Sequence, residues 1–386
     1  MLRSILPIAL LVTSLPATDY WVSSLRGNDA NPGTAAQPFK TLTKAFGAAK
    51  LGDRVLVLPG RYAPSTGENF PLVVADGVQV LGTNGRSCVI DAEFRTNVTN
   101  PKDPRVNPVQ GNVLLLGSGC RFGYLGIVNA PRNPNNPGDY WWSIALQVDG
   151  SSGSSDSVLI DHCYLDEFSR GIFVGGPSGN HSYKNVRIEN CVLSRFYVEA
   201  INATVNAGLA QSSAVVNCTV VAHRDPTTRK SFARACISFG VAAQFDVRNC
   251  VLKDADWAGV EAVVSAVVTS DHNCYHGNGA NLRGVTKGAR DLEVDPQLAY
   301  LPTLTETVDA HHSGAIGPLW NAGTNLPVTG GDIDVYGNRI AGTVVDIGAD
   351  EFEGPFGWVV GVPRVGGTIH AGVTGTSNAP VFLAIA

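Results

Sequence analysis

Charge is scarce in this chain. Asp, Glu, Lys and Arg make up 16% of its 386 residues, against roughly 25% in ordinary soluble domains. Its 28 Lys and Arg stand against 33 Asp and Glu, a formal charge of -5, so the global basic footprint of a nucleic-acid binder is missing. Past the N-terminal segment no apolar run approaches the roughly 18 residues of a membrane-spanning helix. With 43 Gly and 22 Pro, turns must be frequent, which favours many short strands. What is present is 44% hydrophobic residues, enough for a substantial core.

The chain begins MLRSILPIALLVTSLPATDYW. Arg3 supplies a positive start, Ile5 to Val12 a short apolar core, and Ala17 a small residue before a cleavage point. This predicts a secretory signal peptide over residues 1–17, hence a secreted or cell-surface protein of bacterial export type, with no transmembrane segment.

A repeat then dominates the middle of the chain. VLIDHCYLDEF (158–168), VRIENCVLSRF (186–196), VVNCTVV (215–221), FDVRNCVLKDA (245–255) and VVTSDHNCYHG (267–277) each run from an apolar stretch through a polar residue to Cys. Cys163, Cys191, Cys218, Cys250 and Cys274 are 28, 27, 32 and 24 residues apart. A period in this range marks a stacked solenoid. In VRIENC, Val186 and Ile188 alternate with Arg187 and Glu189, as in a strand with one buried face. The residues before Cys form a column of His162, Asn190, Asn217, Asn249 and Asn273. Asn tolerates left-handed backbone, and its amide can donate to one coil and accept from the next. A hydrogen-bonded ladder at a corner is expected, with the cysteines turned inward behind it.

Eight cysteines in an exported chain ordinarily suggest disulfides. Stacked coils lie roughly 4.8 Å apart, which leaves parallel Cβ atoms slightly too distant for an unstrained bridge. The five repeat cysteines therefore read as buried, unpaired thiols. Cys88, Cys120 and Cys236 lie off this column.

Two further strands complete each coil. One follows the Cys directly. The other follows a variable loop: IALQV (144–148), GIFVG (171–175), EAINA (199–203), CISFG (236–240) and GVEAV (259–263). Leu146, Ile172, Ile201, Ile237 and Val260 are assigned inward. Gln147, Phe173, Asn202, Ser238 and Glu261 are assigned outward. Three strands per coil with turns of differing length make an all-β fold, a single-stranded right-handed parallel β-helix.

These features resemble the pectate-lyase-like superfamily, in which an Asn ladder backed by an inward stack is a known feature. The opening YWVSSLRGNDANPGTAAQPFKTLTKAFGAAKLGDRVLVLPGRY (20–62) resembles that of a large group of secreted bacterial β-helix proteins of unassigned function. It is also similar to the start of some alginate-lyase-type polysaccharide lyases. Leu42, Ala45, Phe46 and Ala49 have the spacing of one apolar helix face, between Pro38 and Gly52. Such a helix would cap the open end of the solenoid. DPQLAYLPT (295–303) and DIDVYGNRIAGTVVDIGADEFE (332–353) resemble the closing segment of the same group. The β-helix is thus placed at 18–353. Residues 354–386 read as a small β-rich C-terminal module that stops on an apolar run, incomplete at residue 386 and suited to cell-surface attachment.

In the resembled lyases, substrate lies on the outward face of the third strand. Loop length leads to the same side, since solenoid insertions gather on one face. The loop 129–142 carries Tyr140, Trp141 and Trp142, flat surfaces suited to sugar rings. The loop 222–235 carries His223, Arg224, Asp225, Arg229, Lys230 and Arg234, a basic cluster that would attract a polyanion. Gln147, Phe173, Asn202 and Trp257 complete the expected substrate surface. β-Elimination of a uronate needs a cation beside the acidic C–H and a base to remove the proton. Glu199, Asn202 and Glu261 are the expected Ca²⁺ ligands. Arg170, His223, Arg224 and Lys230 are the candidate bases. Hydrolysis would instead use paired carboxylates, Glu199 with Glu261 or Asp254 with Asp256.

The ligand-and-base strings of pectate lyases, alginate lyases and hydrolytic pectinases are absent, so no catalytic residue transfers from them. The expectation is an extracellular, monomeric protein that binds an acidic polysaccharide, with cleavage by calcium-assisted elimination left open. A non-catalytic surface or adhesion protein is the alternative, and a glycoside hydrolase a further one. Outside this face, Asp161, Glu189 and Arg248 read as structural charge pairs on stacked strands, and Gly27-Asn28-Asp29 as a turn. His311-His312 and Asp271-His272 are metal-like in type but have no partners at ligand spacing.

Overall fold

The computed structural model describes residues 17–83, 87–93, 111–129, 143–148, 154–175, 182–204, 213–222, 231, 233–298, 317–326, 333–335, 345–351, 358–360 and 370–372. Three long parallel sheets run the length of the solenoid. Sheet 1 has nine strands, from Asp19–Val22 to Val267–Asp271, and sheets 2 and 3 have eight each. Sheet 2 runs from Gly60–Tyr62 to Cys274–His276, and sheet 3 from Leu72–Val74 to Leu282–Arg283. Each coil visits the three sheets in turn, so the chain is an all-β, three-sided parallel solenoid.

The core follows from the alternation in each strand. In sheet 1, Ile160, Ile188, Val215 and Val247 stack in register and are fully buried. In sheet 3, Leu114, Leu146, Ile172, Ile201, Ile237 and Val260 do the same. A one-residue slip would turn each set to solvent, so the apolar pattern alone fixes the register.

The N-terminal cap is the helix Leu42–Ala48, with Leu42, Ala45 and Phe46 buried. Asp29 accepts the backbone N–H groups of Lys40 and Thr41 at 2.8 and 2.9 Å. Glu68 accepts those of Leu42 and Thr43 at 2.8 and 2.9 Å, and Thr41 caps Lys44. These bonds satisfy the donors that a helix start leaves without partners. The Gly27-Asn28-Asp29 turn is therefore part of the cap.

The corner between sheets 1 and 2 departs from expectation in its last coil. His162, Asn190, Asn217 and Asn249 take φ between 51 and 53°. Asn217 donates to Asn190 at 3.1 Å, and Asn249 to Asn217 at 2.9 Å. One coil earlier the column continues as Tyr124, also left-handed at φ 60°, whose ring stacks on His162 at 4.4 Å. In the last coil the left-handed corner residue is His272, at φ 57°, and not Asn273. Register then places Asn273 beside Cys250 and Cys274 beside Val251. The inward column holds four thiols, Cys163, Cys191, Cys218 and Cys250, followed by Asn273. Cys274 faces outward into a separate cluster with Val221, Val251, Leu298, Leu319 and Ile347. All eight cysteines are buried, and none is joined in a disulfide.

The charged column on sheet 1 also pairs differently from the expected stacking. Asp161 and Glu189 are neighbours, but Val216 separates Glu189 from Arg248. Each charge finds another partner: Arg121 binds Asp161 at 2.7 Å, Arg248 binds Asp246 at 2.7 Å, and Arg187 binds Glu189.

The closing segment covers sheet 2. Gly348 donates to the Asn249 carbonyl at 2.8 Å, and Ala349 to the Thr219 hydroxyl at 3.0 Å. Further on, Trp358–Val360 and His370–Gly372 form one antiparallel pair. Among the described residues no helix is long and apolar enough to cross a membrane. Residues 1–16 of the expected signal peptide and His311-His312 lie outside the described residues.

Candidate functional site

Sheet 3 presents the outward column that the alternation requires. Leu115, Gln147, Phe173, Asn202, Ser238, Glu261 and Arg283 are partners in unbroken register. A second column at the strand starts includes Arg170 beside Glu199. The loop residue Arg234 is placed between these columns by the backbone. Its N–H donates to the Val198 carbonyl at 2.8 Å, and its own carbonyl accepts Trp257 and Ala258 N–H at 3.0 Å.

These placements generate a row of alternating charge. Arg170 Nε donates to Glu199 Oε2 at 2.8 Å. Arg234 Nη1 lies 3.8 Å from Glu199 Oε1, while its Nη2 lies 2.8 Å from Glu261 Oε2. The Trp257 indole N–H donates to Glu261 Oε1 at 3.1 Å. Arg283 lies flat over the Trp257 ring, its guanidinium carbon 3.6 Å from the centroid. The row spans five successive coils, roughly 19 Å at the spacing of parallel strands. Its three guanidiniums against two carboxylates leave one positive charge, on a chain whose formal charge is -5.

Exposure divides the row. The Glu199 side chain is 2% exposed and that of Arg234 55%. Trp257 is 45% exposed. The carboxylates form the floor, and the guanidiniums and the indole meet solvent.

The expected residues fare differently. Arg170, Glu199, Glu261 and Trp257 converge in this row, and Asn202 and Phe173 lie beside it. Gln147 is buried and committed internally: it accepts from Asn112 at 2.6 Å and donates to the Gly175 carbonyl at 2.8 Å. It braces neighbouring coils and offers no surface to a ligand. Asp254 is buried against Lys253 at 2.5 Å. Tyr140, Trp141, Trp142, His223, Arg224 and Lys230 lie outside the described residues. Arg283 was missed from the sequence; its signal is that it follows Glu261 in the outward column.

The three expected calcium ligands do not fit a Ca²⁺ ion as they are arranged. Glu199 faces two guanidiniums, Glu261 faces Arg234 and the Trp257 N–H, and Asn202 Oδ1 accepts the Thr204 hydroxyl at 3.0 Å. A calcium ion needs several oxygens turned toward it, and these are turned toward donors. Among the described residues no three His, Cys, Asp or Glu side chains form a group that could hold a metal ion.

Comparison with known proteins agrees with this architecture. The family model described as "Protein of unknown function (DUF1565)" matches residues 25–117, and the one described as "Right handed beta helix region" matches 135–297. No curated protein sequence matches the chain. Among solved structures, pectate lyase Pel9A is similar with a TM-score of 0.51 at 15% identity, over 87% of this chain and 97% of that one. A rhamnogalacturonan lyase gives a TM-score of 0.46 at 16% identity, over 68% and 74%. Pectin methylesterase from Yersinia enterocolitica gives 0.45 at 12% identity, over 66% and 95%. Register, family models and the pectate lyase likeness together identify the chain as a right-handed parallel β-helix protein of the pectate-lyase-like fold.

Proposed function

We propose that the protein is an exported carbohydrate-binding β-helix that takes an acidic polysaccharide along the outer face of sheet 3. The observation that carries this reading is the row Arg170, Arg234 and Arg283 with the Trp257 ring. Guanidinium forks match carboxylate geometry, and an exposed indole offers a flat apolar surface to a sugar ring. The extended face suits a polymer better than a small molecule. The fold neighbour with the highest TM-score quoted above is a pectate lyase, which acts on a polymer of this class.

Recognition is proposed ahead of cleavage. Calcium-assisted elimination would require Glu199 and Glu261 to leave their guanidinium partners, and hydrolysis would require the same pair to act on water and leaving group. Both carboxylates are committed to ion pairs here.

The test is affinity electrophoresis of the purified protein through gels containing polygalacturonate, alginate or a neutral glucan. Retardation by the uronate polymers only, weakened by salt, is the expected result. Equal mobility in all gels would refute it. Appearance of an ultraviolet-absorbing unsaturated product, dependent on Ca²⁺ and abolished by chelator, would replace binding with elimination.

A further inference from the structure

We propose that Glu261 is an internal stand-in for the ligand carboxylate, so that the polysaccharide binds by displacing it from Arg234 and Trp257. The inference rests on the reading of sheet 3 as a uronate-binding face, and it names what sets affinity there.

Glu261 holds the two donors that an incoming carboxylate would use. Its Oε1 accepts both the Arg234 Nη2–H at 3.0 Å and the Trp257 indole N–H at 3.1 Å, and its Oε2 lies 2.8 Å from the same Nη2. Both donors belong to side chains that reach solvent: Arg234 is 55% exposed and Trp257 45%. A cation and an adjacent N–H, converging on one carboxylate, form a carboxylate receptor whose donors reach solvent. The chain fills that receptor with its own side chain.

Glu199 has a different place. Its side chain is nearly fully buried and is held by Arg170 at 2.8 Å, with Arg234 at 3.8 Å. It therefore anchors Arg234 from below when the upper contact is exchanged. Arg283, stacked over the Trp257 ring, keeps the indole in place and adds positive charge. The Arg234 side of the pair is open to solvent, 55% exposed against 16% for Glu261, so an incoming carboxylate can reach the guanidinium first. The exchange swaps one carboxylate for another on the same donors, so the ligand gains only the difference.

Removing the internal carboxylate should then strengthen binding. This is opposite to what a calcium ligand, a catalytic carboxylate or a structural prop for Arg234 would do. The experiment measures affinity for polygalacturonate of the wild type, Glu261→Gln, Glu261→Ala and Arg234→Ala, with thermal unfolding of each as the fold control. Both Glu261 variants are expected to bind roughly fivefold more tightly, the equivalent of about 1 kcal/mol, and Arg234→Ala at least tenfold more weakly. Binding by the Glu261 variants alone, with the wild type silent, also supports the proposal, as a fully masked site. If the wild type binds and both folded Glu261 variants bind equally or more weakly, self-competition is overturned and the binding reading survives. If no variant and no wild-type protein binds, both are overturned.

Discussion

Asn273 occupies the inward place beside Cys250 that the cysteine repeat assigns to Cys274, and its Oδ1 accepts the Cys250 backbone N–H at 2.9 Å. Its amide nitrogen donates to the Val247 carbonyl at 2.9 Å and contacts Ser270 and Asp291 at 3.1 Å. One polar side chain thus ends the thiol column by satisfying groups from two coils.

Replacing it tests that role. Asn273→Cys would restore the apparent repeat but leave a buried N–H and a buried carboxylate short of partners. Each such loss costs about 1–3 kcal/mol. The variant should be destabilised by about 2–4 kcal/mol in urea unfolding, and a neutral result would mean that the column tolerates a fifth thiol.

The corner ladder makes a separable prediction. Asn217 combines a left-handed backbone, φ 51°, with hydrogen bonds to Asn190 and Asn249. Asn217→Ala loses both features, whereas Asn217→Gly loses only the side chain. Left-handed backbone costs a residue with a Cβ about 1–2 kcal/mol. The glycine variant should therefore unfold at higher urea than the alanine variant, by a midpoint difference equivalent to about 1 kcal/mol. Equal midpoints would assign the whole effect to the ladder.

The same corner explains how much of the fold was legible. Three of its members are Asn, so a shared chemistry wrote itself into the sequence as a visible column. Another set of left-handed residues precedes sheet 1: Gly52, Gly77, Gly119, Ser157 and Asn185, with φ from 90 to 54°. They occupy equivalent positions two residues before registered strand partners. Only the backbone demands anything there, and several residue types meet the demand, so no column was visible. The slip at Asn273 was hidden for a related reason. Aligning on Cys274 assumed that the thiol defines the corner, when the left-handed residue before the inward position does.

The site was half legible. Alternation placed Asn202 and Glu261 on one face, because strand periodicity is local, whereas Glu199 shares the parity of the inward Ile201 and joins the row from the strand start. Their partners were not readable as partners. Arg234 reaches Glu261 across 27 residues, and which carboxylate a long side chain meets depends on the stacking of coils. Glu199 and Glu261, read from the sequence with Asn202 as calcium ligands, accept hydrogen bonds from guanidiniums in the structure.

Cysteine chemistry offers a direct check on the stacked column. Burial holds the thiols of Cys163, Cys191 and Cys218 well above their ordinary pKa, and pushes Cys120 up to about 11. Thiolate is the reactive form, and all eight sulfurs are inaccessible. The native protein should leave an aromatic disulfide reagent uncoloured at about pH 8, and the unfolded protein should release eight equivalents. Fewer than eight on unfolding without reductant would reveal a disulfide.

Glu351 gives the closing segment a pH dependence. It lies close to Asp334, Asp346 and Asp350. Burial, followed by these charges, pushes its carboxyl from the ordinary 4.5 up to about 8, against the opposing Asp346 N–H that it accepts. The folded state therefore favours the neutral acid. With the folded pKa above the unfolded one, the stabilising contribution is complete below about pH 4.5 and is lost as pH rises through about 8. At full expression the difference is on the order of a few kcal/mol. It should be felt where Gly348 and Ala349 bind Asn249 and Thr219. Glu351→Gln stays neutral throughout and keeps one carbonyl for the Asp346 N–H. Amide exchange at Gly348 and Ala349 should accelerate in the wild type between about pH 5 and about pH 9, after correction for intrinsic exchange, and stay nearly constant in the variant. Parallel profiles would show that the segment holds to sheet 2 whatever the charge on Glu351.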